Sequence, residues 1–271
     1  MYTKTLGFRT AKLFEGIHNT GQTAFTLQTA AALMGVSHGQ AASLLHAAAK
    51  RGLVTPVKRG LYNLVPFELG SASFHLDNRY VLVRESLGDK PYFFSYASAL
   101  DLHGLATQPA LDVYVTYSVR RKNTTIGGSR TRLIYLPTTR FYGQQELPVG
   151  DTRVMVSDVE RTLVDAVAIP SYCGGLIESA KAFFMAKTQL NTAKLIDYAR
   201  RYRKWSVLRR AGYLLELFEL ASPSVLDGLA QSLPAGYSKL DPDLPKEGLS
   251  SPTWGLNLNV SRDELLNAVS H

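Results

Sequence analysis

The 271-residue sequence predicts an α+β protein, with a small basic module over residues 1–66 and a larger mixed α/β domain over residues 74–271. Charge is the first observation behind that division. Residues 1–66 hold seven Lys or Arg and one acid, Glu15, and so carry +6 of the chain's net +8; the remainder is close to neutral. The second is helical spacing of apolar residues in three short segments, followed by two strand-like runs around Lys58-Arg59-Gly60. The third is the interleaving of strand-like and helical patterns after residue 74.

Taken in order, the first helix is amphipathic, with Leu6, Leu13, Phe14 and Ile17 on one side and Arg9 and Lys12 towards solvent. A turn at His18-Asn19-Thr20-Gly21 leads to a short apolar stretch around Phe25, and Thr26 caps a brief helix through Ala30, Leu33 and Met34. After Gly35-Val36, Ser37 and Gln40 form a capping box for a helix over residues 38–51. Ala41, Leu44, Leu45 and Ala48 give that helix its buried stripe. Gly39, Gln40, Ser43, His46 and Lys50 project away from it. Strands at Leu53–Val57 and Leu61–Leu64 then flank the basic turn. Helix, turn, helix and basic hairpin in this order describe a winged helix-turn-helix.

Such a module meets DNA by inserting a helix into the major groove, where small and hydrogen-bonding side chains reach base edges and cations hold phosphates. Gly39, Gln40, Ser43 and His46 are the expected base-facing residues, and Lys50, Arg51, Lys58 and Arg59 the expected phosphate-binding ones. The same architecture also serves as a protein-docking module, and the pattern is compatible with that use. The cations on the groove helix and hairpin tip favour nucleic acid.

Residues 66–73 read as a connector. Beyond it the expected elements are a helix over 75–87, a helix ending near His103-Gly104, and strands at Leu111–Ser118, Arg132–Leu136 and Thr152–Val156, the first two joined by a turn at Gly127-Gly128. Ser157 and Glu160 repeat the capping-box pattern before a helix through Leu163, Val164 and Val167. Residues 176–221 are helical in pattern. Prolines at 223, 234, 242, 245 and 252 break up a tail that closes with a strand near Trp254–Val260 and a short helix.

Catalytic patterns are scarce. No Gly-Lys-Ser/Thr phosphate loop and no His pair at metal-ligand spacing occurs, and neither an enzyme activity nor a cofactor is expected. Asp241-Pro-Asp243 reads as a turn rather than a metal pair, Gly127-Gly128-Ser129-Arg130 as a turn rather than a phosphate cradle, and Asp158 with Glu160 lacks the lysine of a nuclease core. His103 reads as a helix end, where a cationic imidazole suits the dipole. Arg200, Arg201, Arg203, Lys204, Arg209 and Arg210, with Tyr202 and Trp205 among them, read equally as a nucleic-acid or acidic-protein contact and as a solvated helix surface. A single cysteine, Cys173, rules out an internal disulfide. Neither a signal peptide nor a membrane-spanning run is present, so a cytoplasmic protein without membrane partners is expected.

Tyr96-x-Ser98-Ala99-Leu100-x-x-His103-Gly104-Leu105 and Ser157-Asp158-x-Glu160-Arg161-Thr162-Leu163-x-Asp165, behind a winged helix, resemble the AbiEi family over residues 5–220. These are antitoxins and transcriptional regulators of bacterial abortive-infection systems. The resemblance implies a repressor that binds inverted repeats in its own promoter and a C-terminal domain that counters a nucleotidyltransferase-like toxin in a type IV system, where no stable complex is required; a stand-alone regulator, or a C-terminal domain that processes nucleotides or nucleic acid, is the alternative. Asp158, Glu160, Arg161 and Asp165 match the family motif. Helix capping and an Arg161–Asp165 ion pair, four residues apart, are the expected roles.

Overall fold

In the computed structural model, which describes residues 7–66, 74–76 and 78–270, the chain is a mixed α and β protein of two compact units. The first comprises the residues up to Tyr92 together with Arg121–Arg132 and Glu146–Val154; the second comprises Phe93–Arg120, Leu133–Gln145 and the residues from Met155 onward.

The first unit opens with α1 (Phe8–His18), β1 (Ala24–Thr26), α2 (Leu27–Met34), α3 (His38–Lys50), β2 (Val54–Lys58) and β3 (Leu61–Leu64). Thr26 caps α2 by accepting from the Thr29 amide, and Gly35 closes it in the left-handed conformation. The Ser37–Gln40 capping box starts α3 as its sequence demands. The apolar stretch around Phe25 is a strand. It pairs antiparallel with β3 in a sheet of order β1-β3-β2, with Phe25 opposite Tyr62. Pro56 is exposed on the edge strand β2, where its missing N–H breaks no ladder. Leu13, Ile17, Phe25, Leu45, Leu53 and Val54 form the core. Leu44 is only half-buried, so the buried stripe of α3 is narrower than its spacing predicts. Leu6 and most of the expected connector, 67–73, lie outside the described residues.

The same unit contains α4 (Arg79–Leu87), which begins four residues later than expected because Asn78 caps it. A hairpin of β6 (Thr124–Ile126) and β7 (Ser129–Tyr135) turns at Gly127-Gly128. The turn therefore joins β7 to a polar strand that periodicity does not reveal, not to the strand near residue 115. Gly127 has φ +54 and lies against the Leu82 side chain, so both conformation and space call for glycine.

Strands β4 (Tyr92–Phe94), β5 (Val113–Tyr117), β8 (Gln144–Val149) and β9 (Thr152–Ser157) complete a six-stranded sheet of order β6-β7-β5-β4-β9-β8. Phe94 and Val156 pair in parallel. In the second unit α5 (Tyr96–Leu102), α6 (Val159–Ala168), α7 (Leu176–Met185), α8 (Thr192–Arg201) and α9 (Trp205–Leu217) share one core. Helix α6 is buried on every side from Val159 to Val167, polar residues included. The tail is more ordered than its prolines suggest. Pro223 takes the first position of α10 (Pro223–Gln231), where its missing N–H is harmless. Strands β10 (Ser238–Lys239), β11 (Leu249–Ser251) and β12 (Leu256–Leu258) form a small sheet before α11 (Arg262–Val269).

Candidate nucleic-acid interface

Helix α3 buries Ala41, Leu45 and Ala48 and turns its other face to solvent. Gly39, Gln40, Ser43, His46 and Lys50 are all exposed on that face, with Arg51 just past the helix end. The exposure follows from the local sequence: the capping box fixes the helix start, and the apolar stripe fixes its rotation. Ser43 Oγ donates to the Gly39 carbonyl at 3.1 Å, and the Gln40 side chain accepts from the Ser37 amide at 3.1 Å. A cleft of about 580 Å³ runs beside these residues, lined by Gly39, Gln40 and Ser43 of α3 and by Phe8, Arg9 and Lys12 of α1. Phe8 is 85% exposed there, an apolar side chain offered to solvent beside two cations.

The two hairpin cations differ. Arg59 is exposed at the turn. Lys58 is half-buried, and its ammonium donates to the Ser86 carbonyl at 3.3 Å. Burial, then the nearby Arg121 charge, pushes its pKa down from the usual lysine value. Lys58 thus has an acceptor inside the protein, whereas Arg59 is available to a ligand.

In the second unit the family-motif residues converge at the start of α6. Asp158 caps the helix: Oδ1 accepts from the Arg161 amide at 2.8 Å. The expected Ser157–Glu160 box does not form. Ser157 Oγ instead meets Thr162 Oγ1 at 2.7 Å, and Glu160 Oε1 accepts from the Asn191 amide at 2.9 Å. Lys194 of α8 bridges Asp158 at 3.1 Å and Glu160 at 2.8 Å. Burial alone would push the Glu160 carboxyl up, but its bonds from Lys194 and Asn191 outweigh that and lower it. A lysine does therefore accompany these carboxylates, though it neutralises them. No group of three or more metal-ligating side chains occurs among the described residues.

Arg161 Nε donates to Asp165 Oδ1 at 2.9 Å, giving the expected ion pair, with side chains 6% and 1% exposed. Complete burial pushes the Asp165 carboxyl up against the opposing pull of Arg161. His103 closes α5, but not as a cation. Its Nε2 lies 2.6 Å from the Ser157 carbonyl, and burial lowers its pKa.

The basic run divides in two. Arg209 donates to the carbonyls of Pro234, Gly236, Trp254 and Gly255, and Arg210 to those of Val167 and Lys239. Both are buried and tie the tail to α9. Arg200, Arg201, Arg203 and Lys204 are exposed. Asp241 forms a turn, its Oδ1 accepting from the Asp243 amide at 2.9 Å. Sequence reasoning missed Tyr142, whose ring lies 4.1 Å from Arg161 Cζ and 4.2 Å from Arg201 Cζ. Nothing around position 142 signals it, because its partners lie 19 and 59 positions further along the chain.

No family model matches the chain, and no curated protein matches it. Among solved structures, the RV2827C protein from Mycobacterium tuberculosis is similar, with a TM-score of 0.72 at 14% identity over 99% of this chain and 97% of that one. At that identity the likeness shows a shared fold alone. No helix among the described residues is long and apolar enough to cross a membrane.

Proposed function

We propose that this chain is a sequence-specific DNA-binding repressor of the antitoxin type, related to the AbiEi family, whose residues 8–64 act as a winged helix-turn-helix. The observation that carries the reading is the outer face of α3: Gly39, Gln40, Ser43, His46 and Lys50 are all exposed, beside exposed Arg9, Lys12, Arg51 and Arg59. Small residues let a helix enter the major groove, Gln40, Ser43 and His46 supply donors and acceptors for base edges, and the cations hold the flanking phosphates. The hairpin of β2 and β3 acts as the wing, with Arg59 at its tip.

The resemblance of residues 96–105 and 157–165 to the AbiEi motifs supports autoregulation through inverted repeats in the chain's own promoter, opposite a nucleotidyltransferase-like toxin. The motif residues Asp158, Glu160, Arg161 and Asp165 act here through helix capping and ion pairing. A salt-series titration against the chain's own upstream DNA and a scrambled duplex of equal length tests the reading. Preference for the upstream DNA with a steep salt slope is expected; equal, weak binding to both duplexes would defeat it.

A further inference from the structure

A cavity of about 610 Å³ in the second unit gathers four arginines, Arg140, Arg161, Arg201 and Arg203, around Tyr142 and Tyr202. No carboxylate among the described residues lines it. Asp165 pairs with Arg161, while Arg140, Arg201 and Arg203 form no ion pair among the described residues. Converging like charges oppose one another, so a site of this kind is suited to an anion that neutralises several at once.

Arg161 gives the cavity a built floor. The residue is 5% exposed, yet its Nη1 has no hydrogen-bond partner among the described residues, although Nε is paired with Asp165. A buried guanidinium N–H without an acceptor is costly, and a ligand oxygen is an acceptor of the right kind. The Tyr142 ring centroid lies 4.1 Å from the Cζ of this guanidinium. The backbone is strained at the same place. Of the three non-glycine residues with positive φ among the described residues, Tyr96 (φ 53) and Arg203 (φ 60) both line the cavity. Strain of this kind gathers where a ligand is clamped. Of the remaining wall, Ile134 and Leu136 are apolar and Thr116 and Thr139 polar.

We propose that this cavity binds a small phosphorylated ligand of mononucleotide size, its phosphate held by Arg140, Arg201 and Arg161 and its ring seated against Tyr202 and the Ile134–Leu136 wall. Guanidinium groups match phosphate oxygens in bidentate geometry, and a volume of several hundred Å³ with an aromatic and apolar wall suits a base and sugar better than a bare ion. The site belongs to the second unit and α3 to the first, and the proposal does not depend on DNA recognition.

Calorimetric titration of the full chain at fixed ionic strength, with AMP, GMP, CMP, UMP, adenosine and inorganic phosphate, tests the proposal. At least one mononucleotide should bind at least tenfold tighter than both adenosine and phosphate. Arg140→Ala with Arg201→Ala, both exposed and compatible with folding, should weaken that binding at least tenfold. Lys50→Ala with Arg51→Ala, on the DNA-facing side, should leave it unchanged. No mononucleotide binding, equal binding of phosphate or adenosine, or loss in the Lys50/Arg51 variant without loss in the Arg140/Arg201 variant would each overturn it.

Discussion

Lys58→Ala and Arg59→Ala remove neighbouring cations from one β-turn, and their effects on DNA binding should differ. Five cations are exposed on α1, at the end of α3 and at the hairpin turn: Arg9, Lys12, Lys50, Arg51 and Arg59. If each neutralises one phosphate, counterion release gives a slope of log affinity against log salt of about −4.5, a loss of about 500-fold between 50 and 200 mM. Without Arg59 the slope should flatten to about −3.6 and the loss to about 150-fold over the same range. Lys58 already donates to the Ser86 carbonyl. Its removal should leave the slope at the wild-type value and instead cost about 1 kcal/mol of stability through the lost hydrogen bond. Fluorescence anisotropy with a labelled upstream duplex at four salt concentrations measures both slopes, and urea unfolding measures the stability change. Equal flattening by both variants, or by neither, would refute the proposal that Arg59, and not Lys58, meets a phosphate.

Acid sensitivity should trace in part to His103. Burial favours its neutral form in the fold, so its contribution is complete above the unfolded value of about 6.5 and is lost as pH falls through the lowered folded value. Urea midpoints at pH 7.5 and 5.5 should differ less in His103→Gln than in the wild type; an unchanged difference would exclude His103 as the source. In α9, Gly212→Ala should destabilise by about 1–3 kcal/mol in thermal unfolding, because a Cβ there would overlap the fully buried Trp254 ring, which outweighs the gain of about 1 kcal/mol in helix propensity. Arg209→Met leaves four carbonyls of the tail without their donor and should cost about 3 kcal/mol or more in urea unfolding. DNA affinity measured well below the transition should be unchanged, which a direct nucleic-acid contact by Arg209 would contradict.

Local chemistry was legible in the sequence where donor and acceptor lie within one helical turn. Ser37 and Gln40 form the box that their spacing predicts. The identical spacing of Ser157 and Glu160 misleads, because long-range partners compete for both side chains. Thr162 engages Ser157, and Asn191 and Lys194 engage Glu160, so Asp158 takes the cap. Strands β6 and β8 escaped notice for a different reason. Their residues are mostly exposed and do not alternate, so no period-2 signal marks them. Pro148 within β8 argues against a strand by composition, yet β8 is an edge, where proline is tolerated. The run from Arg200 to Arg210 could not be divided from sequence at all. Which of its arginines are buried depends on where the carbonyls of residues 234–255 fold back, some 25 to 46 positions away.

Arg161 shows why a motif can be recognised without its purpose being read. Its ion pair with Asp165 lies at helical spacing and is predictable from two letters of sequence. That pairing engages Nε, however, and leaves Nη1 without an acceptor in a fully buried setting. Were the pair there for stability alone, an apolar pair of similar volume would serve α6 as well or better. Retaining a guanidinium makes physical sense if one of its amino groups is kept for something the protein does not supply. Tyr142 and Arg201, which complete that setting, come from distant parts of the chain. The ion pair is therefore the legible half of Arg161, and the unpaired donor is the half that only the folded cavity reveals.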